Sequence, residues 1–255
     1  GDKGQYLKAS LAGKNALKYL NIGKDKEDFS PELLLGMGLF NYYAQWIPEH
    51  YPMLKPIMKF FPEGDKSIGI AQLKETSRNA FYARTEAQYY LLRILYEEEQ
   101  NLEEAYQLSA YLTDLYPNNS YFKTYHGRIL YRLGRYDNAK VIFESILNSV
   151  IAEQQGYEYN TARYATYFLG SIWKSYGDLM KSKKYYNSSV KYALLANAGE
   201  KGYYFYSLIH LGEIAVLEKE FNLALKYFKK VRKVTGRKHY ANRLAKEKIK
   251  QIENE

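Results

Sequence analysis

The chain has 255 residues, no cysteine and a formal net charge of +9. That length can bury a sizeable core as one or two domains, and the missing cysteine excludes disulfides, thiol catalysis and cysteine-ligated metals. No run approaches the 18 or more apolar residues of a membrane span. Residues from Gly1 onward are polar and do not form a signal peptide, so the expected compartment is the cytoplasm or, if an upstream signal was removed, a bacterial periplasm or cell envelope.

In chain order, Tyr6–Leu20 predicts an amphipathic helix with Leu7, Leu11, Ala12 and Leu17 on its apolar side. Asn21–Phe29 follows as a charged turn. Ser30 and Pro31 predict a helix start, a cap followed by proline at the first helical position. Leu33–Trp46 is nearly all apolar and is expected to be covered on most sides or to touch a partner. Pro48, Pro52, Pro56 and Pro62 are expected to break the stretch Ile47–Phe61 into short helical pieces. Ile68–Ala80 predicts a further amphipathic helix, the second of an irregular pair begun by Leu33–Trp46.

From Leu92 the same punctuation returns four times. Leu92, Tyr96, Leu102, Ala105 and Pro117 make the first pass; Gly127, Gly134, Tyr136, Ala139 and Phe143 make the second. Leu169, Gly170, Trp173, Gly177 and Tyr186 make the third; Leu211, Gly212, Phe221, Ala224 and Phe228 make the fourth. A mid-helix glycine costs roughly 1 kcal/mol against alanine, so Gly127, Gly170 and Gly212 predict places where a neighbouring helix comes close. Gly134 and Gly177 fall where a left-handed C-cap would reverse the chain. Phe143, Tyr186 and Phe228 are expected to fill the space between pairs. Ala105 to Ala139 is 34 positions, but Ala139 to Ser182 is 43 and Ser182 to Ala224 is 42. The extra residues are expected in longer helices and in connections near Ser149–Tyr159 and Ala196–Tyr203.

This punctuation resembles the tetratricopeptide repeat (TPR) family over roughly residues 83–234. The resemblance implies an all-α fold, an α-α superhelix of antiparallel helix pairs, whose concave groove binds peptides or partner proteins. Separately, Gly36–Asn41, Trp46–Pro48 and Phe61–Asp65, with Gly69 and Leu73, are similar to a segment of the tetratricopeptide repeat protein 39 family, which implies a non-enzymatic adaptor. The expected organisation is an irregular helical part at 1–82, four TPR-like pairs at 83–236 and a basic capping helix at 237–255.

The residues contain no recognisable chemistry. His50, His126, His210 and His239 form no spaced metal pair, and there is no nucleophile elbow, Walker loop or dinucleotide-binding fingerprint. His126 and His210 flank packing glycines and read as satisfied, half-buried side chains. Glu97, Glu98 and Glu99 point in different directions around a helix and read as a solvated helix end. No enzyme, metal or cofactor is expected.

Tyrosine is abundant, with 29 residues against 11 Phe and 2 Trp. It gives large contact area at low entropic cost, in a half-buried solenoid surface or in a ligand groove. The resemblance puts first helices on the groove. Counting from each packing glycine, the positions facing it include Tyr90; Thr124, Arg128, Tyr131 and Arg132; and Tyr167, Ser171 and Lys174. Arginine grips carboxylates with paired hydrogen bonds, so an acidic or C-terminal peptide segment is the expected ligand. The asparagine of a chaperone-tail carboxylate clamp is missing, and Ser171 stands in the equivalent place.

The charge is concentrated at the end: 12 Lys and Arg against 4 Glu from Lys219 to Glu255. Tyr240–Ile252, apolar along Leu244, Ala245, Ile249 and Ile252, reads as a cap whose lysines face water. Nucleic acid is not expected as a partner, since no aromatic residue beyond Tyr240 interleaves with the basic ones. The leading reading is a protein-binding scaffold or adaptor. The rivals are a bacterial cell-envelope repeat protein for glycan or nutrient uptake, and a binder of anionic surfaces or nucleic acid through the basic last helix.

Overall fold

The structure, a computed structural model, describes residues 31–254. The helix expected at Tyr6–Leu20, the turn after it and the Ser30 cap lie outside the described residues. All regular elements among the described residues are helices, with no strand. No helix among them is long and apolar enough to cross a membrane. The chain divides into two compact units, Gly1–Asn101 and Leu102–Glu255.

The first unit contains α1 (Leu33–His50), a 3-10 turn (Pro52–Leu54), the single turn α2 (Lys55–Met58), α3 (Lys66–Asn79) and α4 (Arg84–Arg93). The last runs directly into a π-helical turn, Ile94–Glu98. The chain does not break at Pro48. That proline lies inside α1, in its last turn, and the helix ends only at His50, because a proline so near the C-terminus disturbs only the final hydrogen bonds. α1 packs on α3, and α3 on α4. The first of these crossings is tight: a Cβ on Gly69 would lie 2.6 Å from the Tyr42 backbone nitrogen. α1 itself buries only Gly38, Tyr42 and Ala44, so its apolar run is half-covered rather than enclosed.

Polar side chains hold this unit's helix starts. Asp65 accepts a hydrogen bond from the Ile68 amide at 3.0 Å. Glu32 accepts from the amides of Phe81, Tyr82 and Ala83 at 2.6, 2.9 and 2.7 Å. These N–H groups lie in the turn that leads into α4, up to its N-cap residue Ala83. The bond from Tyr82 in particular holds the Glu32 carboxyl below its ordinary range.

The second unit is a stack of helices: α5 (Leu102–Leu115), α6 (Ser120–Arg132), α7 (Tyr136–Ile151), α8 (Tyr159–Ser175), α9 (Leu179–Leu195), α10 (Gly202–Leu217), α11 (Phe221–Val234) and α12 (Tyr240–Glu253). Each packs against the next. The extra length of the third and fourth passes is where the spacing put it, in the longer helices α7 to α10 and in the connections 152–158 and 196–201.

The pairs α6–α7, α8–α9 and α10–α11 share one contact. A Cβ on Gly127 would come 2.9 Å from the Phe143 ring, one on Gly170 2.8 Å from the Tyr186 ring, and one on Gly212 2.6 Å from the Phe228 ring. Each aromatic ring is 0 % exposed. The ring therefore lies on the glycine of its own pair, not only between pairs as the sequence suggested. Two rings also reach the next pair: Phe143 stacks on Phe168 of α8 at 5.0 Å, and Tyr186 on His210 of α10 at 4.8 Å. The reversals inside the pairs use left-handed residues, Gly134 (φ +73°), Gly177 (φ +80°) and Lys219 (φ +61°); Gln100 (φ +54°) does the same before α5.

His126 of α6 is satisfied by Ser109 of α5 at 2.9 Å and stacks on Tyr106 at 5.6 Å. Burial, then the Arg135 charge, pulls it down to about 4. α12 follows the last pair and buries Ala241, Ala245 and Ile249 against α10 and α11.

Three outcomes follow. Gly127→Ala forces a methyl into an immobile ring and should cost about 1–3 kcal/mol in urea unfolding, partly restored by Phe143→Leu; Gly134→Ala meets nothing within 4 Å and should cost only about 1 kcal/mol of left-handed backbone strain. Lys219→Gly should stabilise, by about 0.5 kcal/mol, because it removes that strain from a side chain with no need for it. For His126, the folded value lies below the unfolded one, so its stability contribution is complete above about pH 6.5, falls as the pH drops towards 4 and is level below. Midpoints measured across that window should slope in the native chain and lose this part of the slope in His126→Gln.

Candidate functional site

The first helices of the second unit's pairs form a continuous layer. α6 touches α8, α8 touches α10, and α10 touches α12, and no equally extensive contact links α7 to α9 or α9 to α11. Contacts in series make the first helices one continuous layer of the stack.

This layer is held together by aromatic and charged side chains. Tyr131 of α6 meets Phe168 of α8 at 5.1 Å, and Tyr167 of α8 meets Tyr203 of α10 at 4.7 Å. Beneath them lies a knot of hydroxyls. Ser171 is 9 % exposed; its Oγ lies 3.0 Å from the Tyr186 hydroxyl and donates to the Tyr167 carbonyl at 3.3 Å. Burial pushes the Tyr167 and Tyr186 hydroxyls well above the ordinary phenol range.

Glu213 of α10 is the electrostatic centre of the layer's far end. Its carboxylate accepts from Lys174 of α8 at 2.7 Å, sits 3.0 Å from His210 Nδ1 and lies 3.3 Å from Lys248 of α12. The His210 hydrogen bond, then the one from Lys174, holds it far below the usual carboxylate range despite partial burial. Glu213, Lys174 and Lys248 line an open cleft of about 710 Å³ whose remaining walls are Val216 and Leu217 of α10, Gln251 and Ile252 of α12, and Asn254 just after it.

The residues singled out from the sequence are distributed unevenly over this layer. Arg132, at the end of α6, is exposed, and Arg128 is half-buried with its guanidinium 4.9 Å over the Tyr125 ring. Tyr131 is half-buried against Phe168, and Tyr167 is packed among Tyr203, Tyr186 and His210. Thr124 is 8 % exposed, its hydroxyl donating to the Ser120 carbonyl one turn back at 2.7 Å. Lys174 is engaged with Glu213. Tyr90 belongs to the first unit, half-buried beside Tyr89.

Sequence reasoning missed two features. One is Glu213, a first-helix residue that is the partner of three basic side chains. The other is the Glu97–Glu99 run, which is not a solvated helix end. Glu99 accepts from the Tyr42 hydroxyl at 2.6 Å, Glu97 pairs with Arg93 at 3.4 Å, and burial raises Glu98. The Tyr42 partner of Glu99 is 57 residues away in the chain, so no local pattern around the run announces it. Among the described residues, no group of three or more histidine, cysteine or acidic side chains is placed to hold a metal ion.

No family model matches the chain. Among solved structures it is similar to two of MamA. The "MamA RS-1 ArsTM double mutant" is 18% identical over 72% of this chain and 90% of that one, with a TM-score of 0.51. A MamA fragment from Desulfovibrio magneticus RS-1 is 18% identical over 73% and 93%, also at 0.51. BtubC (BKLC) from P. vanneervenii is 13% identical over 87% of this chain and 85% of its own, again at 0.51. At such identities the likeness speaks for architecture: this chain has a TPR-like, all-α helical-repeat fold.

Proposed function

We propose that the chain is a non-enzymatic protein-binding scaffold, built on four repeat pairs over 83–236 with a cap at 237–255, and that its second unit takes a peptide or protein segment along the layer of first helices. The observation that supports this most is the continuous series of first helices, α6, α8, α10 and then α12, which ends in the open cleft at Glu213. An extended segment on that layer would meet Arg128, Tyr131 and Arg132 first and Lys174 further along. Thr124 and Ser171 are buried and Tyr167 is packed among Tyr203, Tyr186 and His210, so these three support the layer rather than touch the ligand. Tyrosine rings held by packing lose little entropy on binding, and Arg132 is the arginine exposed to grip a carboxylate.

An acidic segment is the ligand that this layer favours. The test is a paired co-purification from the source cell, with the intact chain and an Arg128→Glu/Arg132→Glu variant of matching circular dichroism. A partner held by the first and lost by the second, and bound again as a synthetic peptide with at least tenfold weaker affinity for the variant, is the expected result. The same partners on both baits would refute recognition through α6.

A further inference from the structure

The strongest unassigned feature of the molecule is the surface of α11 and α12. From Phe221 to Ile252 there are eleven lysines and arginines and one acid, Glu247. Lys248 is paired with Glu213. None of the other ten is ion-paired with a carboxylate among the described residues, and all ten are exposed. Elsewhere in the same unit, lysines pair with acids: Lys140 with Asp137, Lys181 with Asp178, and Lys183 with Glu218. A cap needs a solvated face, but it does not need one sign of charge, and a single-sign field repels itself.

The tip of this helical hairpin is the densest part. The Asn242 side-chain amide donates to the carbonyls of Arg232 (3.1 Å) and Thr235 (2.9 Å) and to the Thr235 hydroxyl (3.1 Å). These bonds pin the first turn of α12 to the last turn of α11. Lys229, Arg232 and Lys233 thereby adjoin Arg237 and Lys238 of the turn and Arg243 of α12. Arg232 and Lys233 sit at a helix C-terminus, where cations stabilise the helix. Arg237, Lys238 and Arg243 do the opposite. They surround the N-terminus of α12, whose first turn carries no acid, so they oppose the helix dipole. Helix stability gives no reason for them, but a bound anion would be attracted both by these cations and by the helix end.

We propose that this tip binds the phosphate backbone of a double-stranded nucleic acid without reading its sequence. The surface offers charge and little else. Tyr240 (59 % exposed) is the one large exposed ring at the tip, Phe221 lying at the far end of α11, too little for stacking on single strands. The apolar side of α12, Ala241, Ala245 and Ile249, is buried in the core and is not available to enter a membrane. A surface that recognises charge density alone gains most from the polyanion with the highest density, and duplex DNA carries one charge per about 1.7 Å of axis. The scarcity of aromatic residues in this region argues against stacking on single strands but not against contact with a duplex backbone.

The test is fluorescence anisotropy of the full chain with a labelled duplex of about 20 base pairs and mixed sequence. Engagement of about six cations should give a log–log salt slope near −5, a fall of about a thousandfold in affinity between roughly 50 and 200 mM salt. Arg237→Glu/Lys238→Glu/Arg243→Glu should bind at least tenfold more weakly, with a slope shallower by about 3. Lys140→Glu/Lys181→Glu/Lys183→Glu, an equal change in net charge at paired positions, should keep most of the affinity. The proposal is overturned by equal losses in the two variants, by no duplex binding at roughly 50 mM salt, or by polyglutamate or phosphatidylserine vesicles binding more tightly than the duplex. Arg128→Glu/Arg132→Glu, on a different surface, tests the first-helix-layer reading separately.

Discussion

The second unit depends on one repeated contact, an aromatic ring of a second helix lying on a glycine of the first. The rings of Phe143, Tyr186 and Phe228 are fully buried, and the backbone at Gly127, Gly170 and Gly212 leaves them the space a Cβ would take. A glycine in mid-helix sacrifices local stability; here the sacrifice is offset by burying a whole ring where two helices meet. The same ring then sets the next pair. Phe143 against Phe168 and Tyr186 against His210 carry the spacing of one pair into the angle of the following one. Interiors packed at this density transmit such constraints with little slack.

That packing also decides what the layer of first helices can offer. First helices in mutual contact must use side chains to bond one another, and the tyrosines and serines of α6, α8 and α9 are drawn into that work. Ser171 and Thr124 end up buried, and Tyr131 and Tyr167 present only part of their rings. Lys174 is engaged with Glu213. The surface proposed to meet a partner is therefore narrower than a repeat pattern implies, and it is weighted towards Arg128 and Arg132. The two proposed surfaces differ in kind: the layer of first helices offers rings and paired charges around a cleft, and the α11–α12 tip offers unpaired cations on two helix faces.

The sequence by itself determined the helical elements and their order. Periodicity, the packing glycines, the reversal glycines Gly134 and Gly177 and the cap pattern of Tyr240–Ile252 are all local or nearly local signals, each with a mechanical cause that operates within a few turns of helix. Even the lengthened third and fourth passes were legible, because turn formers mark where a helix must stop. Only the tertiary structure decided the partners. Glu213 and Lys174 are 39 residues apart, as are Tyr176 and Asp137, and nothing in either segment names the other. The Glu97–Glu99 run misled because the Tyr42 partner of Glu99 is 57 residues away in the chain, and Pro48 because a helix tolerates proline in its final turn. Burial of Thr124 and Ser171 escaped the sequence for the same reason: a hydroxyl on the facing side of a helix reads as a contact residue until a neighbouring helix is seen to cover it.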